Sequence, residues 1–187
     1  PLRGIDNITR WMEEDHSSEF TSGVKKNIDL IKGRTKRLES MINGLLEYAR
    51  IGKVKKDFEE VNVENMLRDL SDLLVPSTFT VVIQPMPTLV TERLRLEQVF
   101  SNLLGNAVKY HHKKDGKIHV RCREIMGFYE FSVSDDGPGI QREYHEKIFM
   151  IFQTLKERDA FESTGVGLAI VKKIIEEQKS VIHVESE

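Results

Sequence analysis

From Val24 onward the chain places an apolar or small residue at alternating steps of four and three: Val24, Ile28, Ile31, Thr35, Leu38, Ile42, Leu45 and Ala49. That spacing has the 3.5-residue period of a heptad seam rather than of a general amphipathic face. Such a seam closes only against other helices, through a left-handed supercoil. Leu2, Ile5, Thr9 and Met12 repeat the pattern over a shorter stretch, and the polar run at 15–23 (DHSSEFTSG) is suited to turn the chain between them. Two helices alone bury little surface. Residues 1–52 therefore predict a helical hairpin that is half of a four-helix bundle, completed by a second copy as a homodimer.

Gly52 ends the long helix, and a charged connector follows over 53–60, giving a linker at 53–61 and a second domain over 62–187. There the periodicity becomes mixed. Helices are predicted over 63–74, 92–110 and 167–178, and strands over 79–83 and 181–185. The alternations Ile118, Val120, Cys122 and Tyr129, Phe131, Val133 predict a hairpin turning at 124–127. Helices grouped with antiparallel strands define an α+β sandwich.

Composition removes several classes of function. Apolar residues at 39% and charged residues at 31% exclude a mainly disordered chain. A formal net charge of −2 gives no electrostatic case for nucleic acid. No run approaches the roughly eighteen apolar residues of a membrane span, and no signal-peptide pattern is present, so this segment is expected to have no membrane contact. Cys122 is the single cysteine, which excludes an internal disulfide or thiolate cluster and fits a reducing cytoplasm.

Three short segments carry candidate chemistry. Asn102, Asn106 and Lys109 are four and three apart, so on a helix they fall within about 60° of one another. Two carboxamides and an ammonium on one face can take a divalent cation through oxygen and a phosphate through charge; alone, the triplet is equally a solvated helix face. Ser134-Asp135-Asp136-Gly137-Pro138-Gly139-Ile140 ends a strand with a carboxylate followed by Gly-x-Gly. Asp135 could accept from the exocyclic amine of adenine, and the oxygen of guanine would be rejected there. Alone, the segment reads as a plain turn. Ser163-Thr164-Gly165-Val166-Gly167-Leu168 precedes a helix, where free N–H groups and the dipole suit an anion. Between the last two segments lie Lys147-Ile148-Phe149-Met150-Ile151-Phe152, whose phenylalanines suit core packing, and a charged lid at 153–162 with Lys156 and Arg158.

Taken in order, Asn-x-x-x-Asn-Ala-x-Lys-Tyr, Asp-x-Gly-x-Gly, paired phenylalanines and Gly-x-Gly-Leu resemble the N, G1, F and G2 boxes of sensor histidine kinases. The ATP-binding domain of that family has the Bergerat fold shared with DNA gyrase, Hsp90 and MutL, and the hairpin resembles its dimerisation and phosphotransfer domain. The resemblance implies Mg²⁺ and ATP as ligands, with Asn106 the chief metal ligand and Asn102 near metal and phosphates. It implies Lys109 on phosphate, Tyr110 beside the nucleotide and Asp135 on the adenine amine. Gly137 and Gly139 would shape that wall, and Ile140 and Phe152 would also bind the nucleotide. Thr164, Gly165, Val166, Gly167 and Leu168 would lie around the phosphates. It also implies a response-regulator receiver domain as the partner that takes the phosphoryl group.

Gyrase-like ATPases carry a glutamate base where this chain has Asn102, and a carboxamide cannot act as that base. Transfer to a protein side chain is thus favoured over hydrolysis. The family's acceptor motif, His-[Glu/Asp]-Leu-[Arg/Lys]-x-Pro-Leu, meets this chain at Pro1-Leu2, so the acceptor histidine is expected five positions before Pro1. His16, His111, His112, His119, His145 and His183 are read as structural or solvated. Gln178-Lys179-Ser180 stands where the family has Gly-Gly, and the final Gly-x-Gly-x-x-Phe strand is missing, consistent with a piece of a longer protein. A dimeric nucleotide-binding scaffold and a hydrolysing ATPase are the alternatives.

Overall fold

The computed structural model describes residues 1–16, 20–53, 57–154 and 164–186. The chain forms two compact units, one of residues 1–50 and 147–169, the other of 51–146 and 170–187. Together they are an α+β protein, and no helix among the described residues is long and apolar enough to cross a membrane.

In the first unit α1 (Leu2–His16) and α2 (Ser22–Arg50) form the hairpin. The two helices reach further into the polar run than its sequence suggests. Asp15 and His16 remain in α1, and Ser22 and Gly23 already belong to α2, because the Thr21 hydroxyl oxygen accepts the Val24 N–H (3.4 Å) and starts that helix. Lys32 Nζ donates to Glu13 Oε2 across the hairpin at 2.7 Å, and the bond holds the Lys32 ammonium above its ordinary pKa. The buried hydroxyls of Thr9 and Thr35 are satisfied by carbonyls one turn back, those of Ile5 and Asp6 (3.0 and 2.9 Å) and of Ile31 (2.9 Å). Of the heptad seam only Ile28 and Thr35 are buried; Val24, Ile31, Leu38, Ile42 and Leu45 remain 38–50% exposed.

The second unit holds a two-stranded antiparallel sheet and a three-stranded mixed sheet. The first pairs β1 (Glu59–Asn62) with β3 (Thr88–Thr91). The second has the order β2-β4-β5, from Phe79–Ile83, Gly116–Ile125 and Phe128–Asp135. β4 and β5 form the expected hairpin, but β2 runs parallel to β4 with Val81 opposite Ile118. The sheet is therefore mixed rather than antiparallel. A parallel pair needs a long crossover, supplied here by β3 and α4 (Arg93–Lys109). Glu59 and Glu60, at the end of the charged run, pair in β1 with Thr91 and Val90. Residues 181–185 form no strand. Among the described residues none pairs with this alternation as a strand, and Val181 is 90% exposed.

α3 (Val63–Leu74) starts at Asn62, whose Oδ1 accepts the Asn65 N–H at 2.9 Å. Val63, Met66 and Leu67 from α3, Phe100, Leu104 and Ala107 from α4, and Ile118 and Val120 from β4 make the core. Phe100 meets Phe131 of β5 edge to face at 5.6 Å. α4 thus turns Phe100, Leu104 and Ala107 inward and leaves Asn102, Asn106 and Lys109 half-buried outside the core.

The β4–β5 turn consists of Met126 and Gly127, both at positive φ (51° and 81°). That is the signature of a type I′ turn, in which asparagine is favoured at the first position and methionine is strained. Met126→Asn is expected to stabilise the protein by about 1 kcal/mol and raise the thermal midpoint by about 2–4 °C. A scanning calorimetry trace with no rise would show that the turn carries no such strain.

Candidate functional site

α4 presents Asn102, Asn106 and Lys109, and Tyr110 caps its end; all four are half-buried. Asn102 Nδ2 donates to the Gln98 carbonyl at 2.7 Å. Because the carboxamide is planar, this bond turns Oδ1 away from the helix backbone as the end able to accept or ligate. The Asn106 carbonyl receives the Tyr110 N–H at 3.0 Å, which closes the helix.

Asp135 is the last residue of β5 and lies on the surface, with its Oδ1 accepting the Gly137 N–H at 2.9 Å. A Cβ at Gly137 would stand 2.4 Å from that oxygen, so only glycine leaves the carboxylate where it is. Gly139 follows at φ 70°. Ile140 N donates to Ser186 Oγ (2.8 Å), and the Ile140 carbonyl accepts from His145 Nε2 (2.8 Å), so the loop leaves the sheet on fixed bonds.

The end of α4 and the end of β5 are brought together by a pair the motif reading passed over. His111 Nε2 lies 3.1 Å from Asp136 Oδ1, which also accepts the Lys117 N–H at 2.6 Å. These bonds, the Lys117 amide first and His111 after it, hold the Asp136 carboxyl below the usual carboxylate range. The charged form is favoured at neutral pH, and its contribution is lost only as acid passes below the ordinary aspartate value. The doubled histidine after Lys109-Tyr110 and the doubled aspartate before Gly137 were the available signals.

The remaining predicted positions lie in the first unit. Phe152 has φ 67° and its N–H donates to the Gly165 carbonyl at 2.8 Å. Gly165, at φ 66°, has the backbone of Gln153 and Phe152 within 2.6–2.8 Å of where a Cβ would be, so no side chain fits. Val166 is buried, and a Cβ at Gly44 of α2 would lie 3.1–3.3 Å from its side-chain carbons. Its side chain is thus packing, and only its backbone could face a ligand. α5 (Gly167–Glu177) begins at Gly167, with Leu168 in its first turn, so the expected free N–H groups stand at a helix N-terminus; Thr164 is half-buried before it. Leu155, Lys156, Arg158 and Ser163, with most of the expected lid, lie outside the described residues.

The family of histidine kinase-, DNA gyrase B-, and HSP90-like ATPases matches residues 91–187, just over half of the chain. Phytochrome-like protein Cph1 of Synechocystis sp. (strain ATCC 27184 / PCC 6803 / Kazusa) is 32% identical over 191 residues, covering 100% of this chain and 25% of Cph1. The crystal structure of full-length ShkA in complex with AMPPNP superposes with a TM-score of 0.73 at 26% identity, over 100% of this chain and 40% of that one. Histidine kinase ThkA in complex with response regulator protein TrrA gives 0.67 at 26%, over 96% and 52%. The chain belongs to the histidine kinase-, DNA gyrase B-, and HSP90-like ATPase family, on its sensor histidine kinase side. It spans about a quarter of the length of the curated relatives it matches from end to end.

The donor set suits magnesium rather than a metal held by protein alone. Among the described residues no group of three or more His, Cys, Asp or Glu could hold an ion. Carboxamide oxygens on α4 can supply only part of a shell, the usual case for Mg²⁺ shared with substrate phosphates.

Proposed function

We propose that the chain is the catalytic core of a cytoplasmic sensor histidine kinase. It would bind Mg²⁺-ATP and pass the γ-phosphoryl group to a histidine of the hairpin helix, from which a response-regulator receiver domain takes it on an aspartate. The observation that carries this reading is a single face of α4 bearing Asn102, Asn106 and Lys109, whose end is tied through His111 and Asp136 to the Asp135 loop. In this reading residues 1–52 form the dimerisation and phosphotransfer hairpin, 53–61 the linker and 62–187 the ATP-binding Bergerat domain. The unpaired heptad positions of α2 support a homodimeric four-helix bundle, with the exposed helix faces receiving the receiver domain. The ShkA complex with AMPPNP and the ThkA complex with TrrA support the nucleotide and the partner for this chain.

Asp135 would accept from the adenine amine beside the Gly137–Gly139 wall, with Ile140 and Tyr110 flanking the base. Asn106, with Asn102, would hold the metal and Lys109 would contact phosphate; Phe152 and the backbone of Thr164, Gly165, Val166, Gly167 and Leu168 are proposed as further nucleotide-binding positions. Bound Mg²⁺ would neutralise charge on the phosphates. The residues themselves orient the nucleotide, and Asn102 offers no carboxylate to activate water, so transfer proceeds by positioning and charge.

The test is γ-labelled ATP and Mg²⁺ with a polypeptide extended upstream of Pro1. Acid-labile, alkali-stable label on the protein is expected. Steady phosphate release without label would replace the reading with a hydrolysing ATPase, and nucleotide binding with neither would replace it with a scaffold. Gly137→Ala, which displaces the Asp135 oxygen, is expected to weaken ATP about tenfold, the size of one charge-assisted hydrogen bond. Unchanged affinity by titration calorimetry would remove Asp135 from the base contact.

A further inference from the structure

We propose that His111 is a positioning residue that sets the Asp135 carboxylate through Asp136, and so sets discrimination for a purine bearing an exocyclic amine. The inference rests on the nucleotide reading above. The His111 side chain is wholly buried, between Phe79 of β2 (edge to face, 5.2 Å) and the exposed ring of His112 (stacked, 5.0 Å). Nδ1 faces both the N–H (3.1 Å) and the carbonyl (3.3 Å) of Lys113, while on the other side the Asp136 carboxylate oxygen can only accept, so Nε2 carries a proton and donates it to Asp136. Gly116 makes room for this, since a Cβ there would stand 2.8 Å from Nε2.

Asp136 is gripped from three sides. Its N–H donates to the Lys117 carbonyl at 3.2 Å, its Oδ1 accepts the Lys117 N–H, and His111 donates to the same oxygen. Holding both the backbone and the side chain of Asp136 fixes the peptide planes on either side. Those planes carry Asp135 behind and the Gly137 N–H ahead, the two partners of the 2.9 Å bond that aims the Asp135 carboxylate. His111 Cδ2 also lies 3.5 Å from the Cβ position of Gly137, so the ring forms the floor of the loop. A lone structural histidine would stabilise the fold and leave ligand choice alone; this one holds the residue that links Asp135 to the Gly137 N–H it accepts.

The test measures affinities of the full chain for ATP and for inosine triphosphate, which carries an oxygen in place of the amine. His111→Leu is expected to weaken ATP about tenfold and leave inosine triphosphate unchanged. His111→Gln, which keeps an N–H donor, is expected to restore most of the difference. In an Asp135→Asn background His111→Leu should add nothing further. Asp136→Ala, at a half-exposed side chain, gives the same readout should His111→Leu not fold. Equal losses for both nucleotides, or a fall in thermal midpoint with ATP affinity intact, would overturn the proposal and leave the nucleotide site standing. If the unsubstituted chain does not distinguish the two nucleotides, the reading of Asp135 fails and this inference with it.

Discussion

Asn106→Ala is expected to abolish the magnesium-dependent part of ATP affinity while leaving the fold intact. Asn106 is half-buried on α4 and stands outside the core cluster, so its truncation leaves no cavity among the packed residues. The loss should be at least the 10- to 100-fold seen when even an outer partner of a metal ligand is removed. Titration with and without Mg²⁺ checks this. The variant should bind ATP in EDTA as the unsubstituted chain does, and gain nothing when magnesium is added. A full magnesium response would move the metal away from Asn106.

The opposite dissection comes from Phe100, on the same helix but turned inward. Its ring is 1% exposed and meets Phe131 edge to face. Phe100→Ala should destabilise the protein by about 3–5 kcal/mol, through lost burial and the cavity left in a core that relaxes only partly. Against the roughly 5–15 kcal/mol that holds a domain folded, that is a large share. In urea the midpoint should fall with an unchanged slope, and ATP affinity should decline only as far as folded protein is lost. A midpoint shift below about 1 kcal/mol would mean that the α4–β5 contact is not central to the core. The two substitutions together separate the inward stripe of one helix from its chemical face.

The local features of this chain were legible because local physics determines them. α3 and β2 occupy the residues their patterns mark, with Asn62 capping the first, and α4 runs between a cap at Glu92 and another at Tyr110. What was hidden is non-local. β1 and β3 are four residues each, one beginning with two glutamates and the other following Pro87, and neither has an alternation long enough to stand out. The parallel alignment of β2 with β4 is invisible in either strand alone. At 181–185 the alternation misled because a period of two marks a face and not a partner. The motifs showed which residues share α4 or the Asp135 loop. The doubled histidine and doubled aspartate mark His111 and Asp136 singly, but nothing local pairs them across 25 residues.

The parallel pairing of β2 with β4 has a consequence for how the protein reaches this structure. A hairpin such as β4–β5 closes in about 1–10 μs from neighbouring residues. The β2–β4 ladder must instead close a loop that contains all of β3 and α4, and it recovers its hydrogen bonds only after that entropy is lost. α4 lies inside the closing loop, and Phe100 and Leu104 pack in the same core as Ile118 and Val120. Docking of the asparagine helix and completion of the sheet are therefore one late event rather than two. The hairpin that ends in Asp135 can form early, but the helix it works with is captured only as the whole unit condenses.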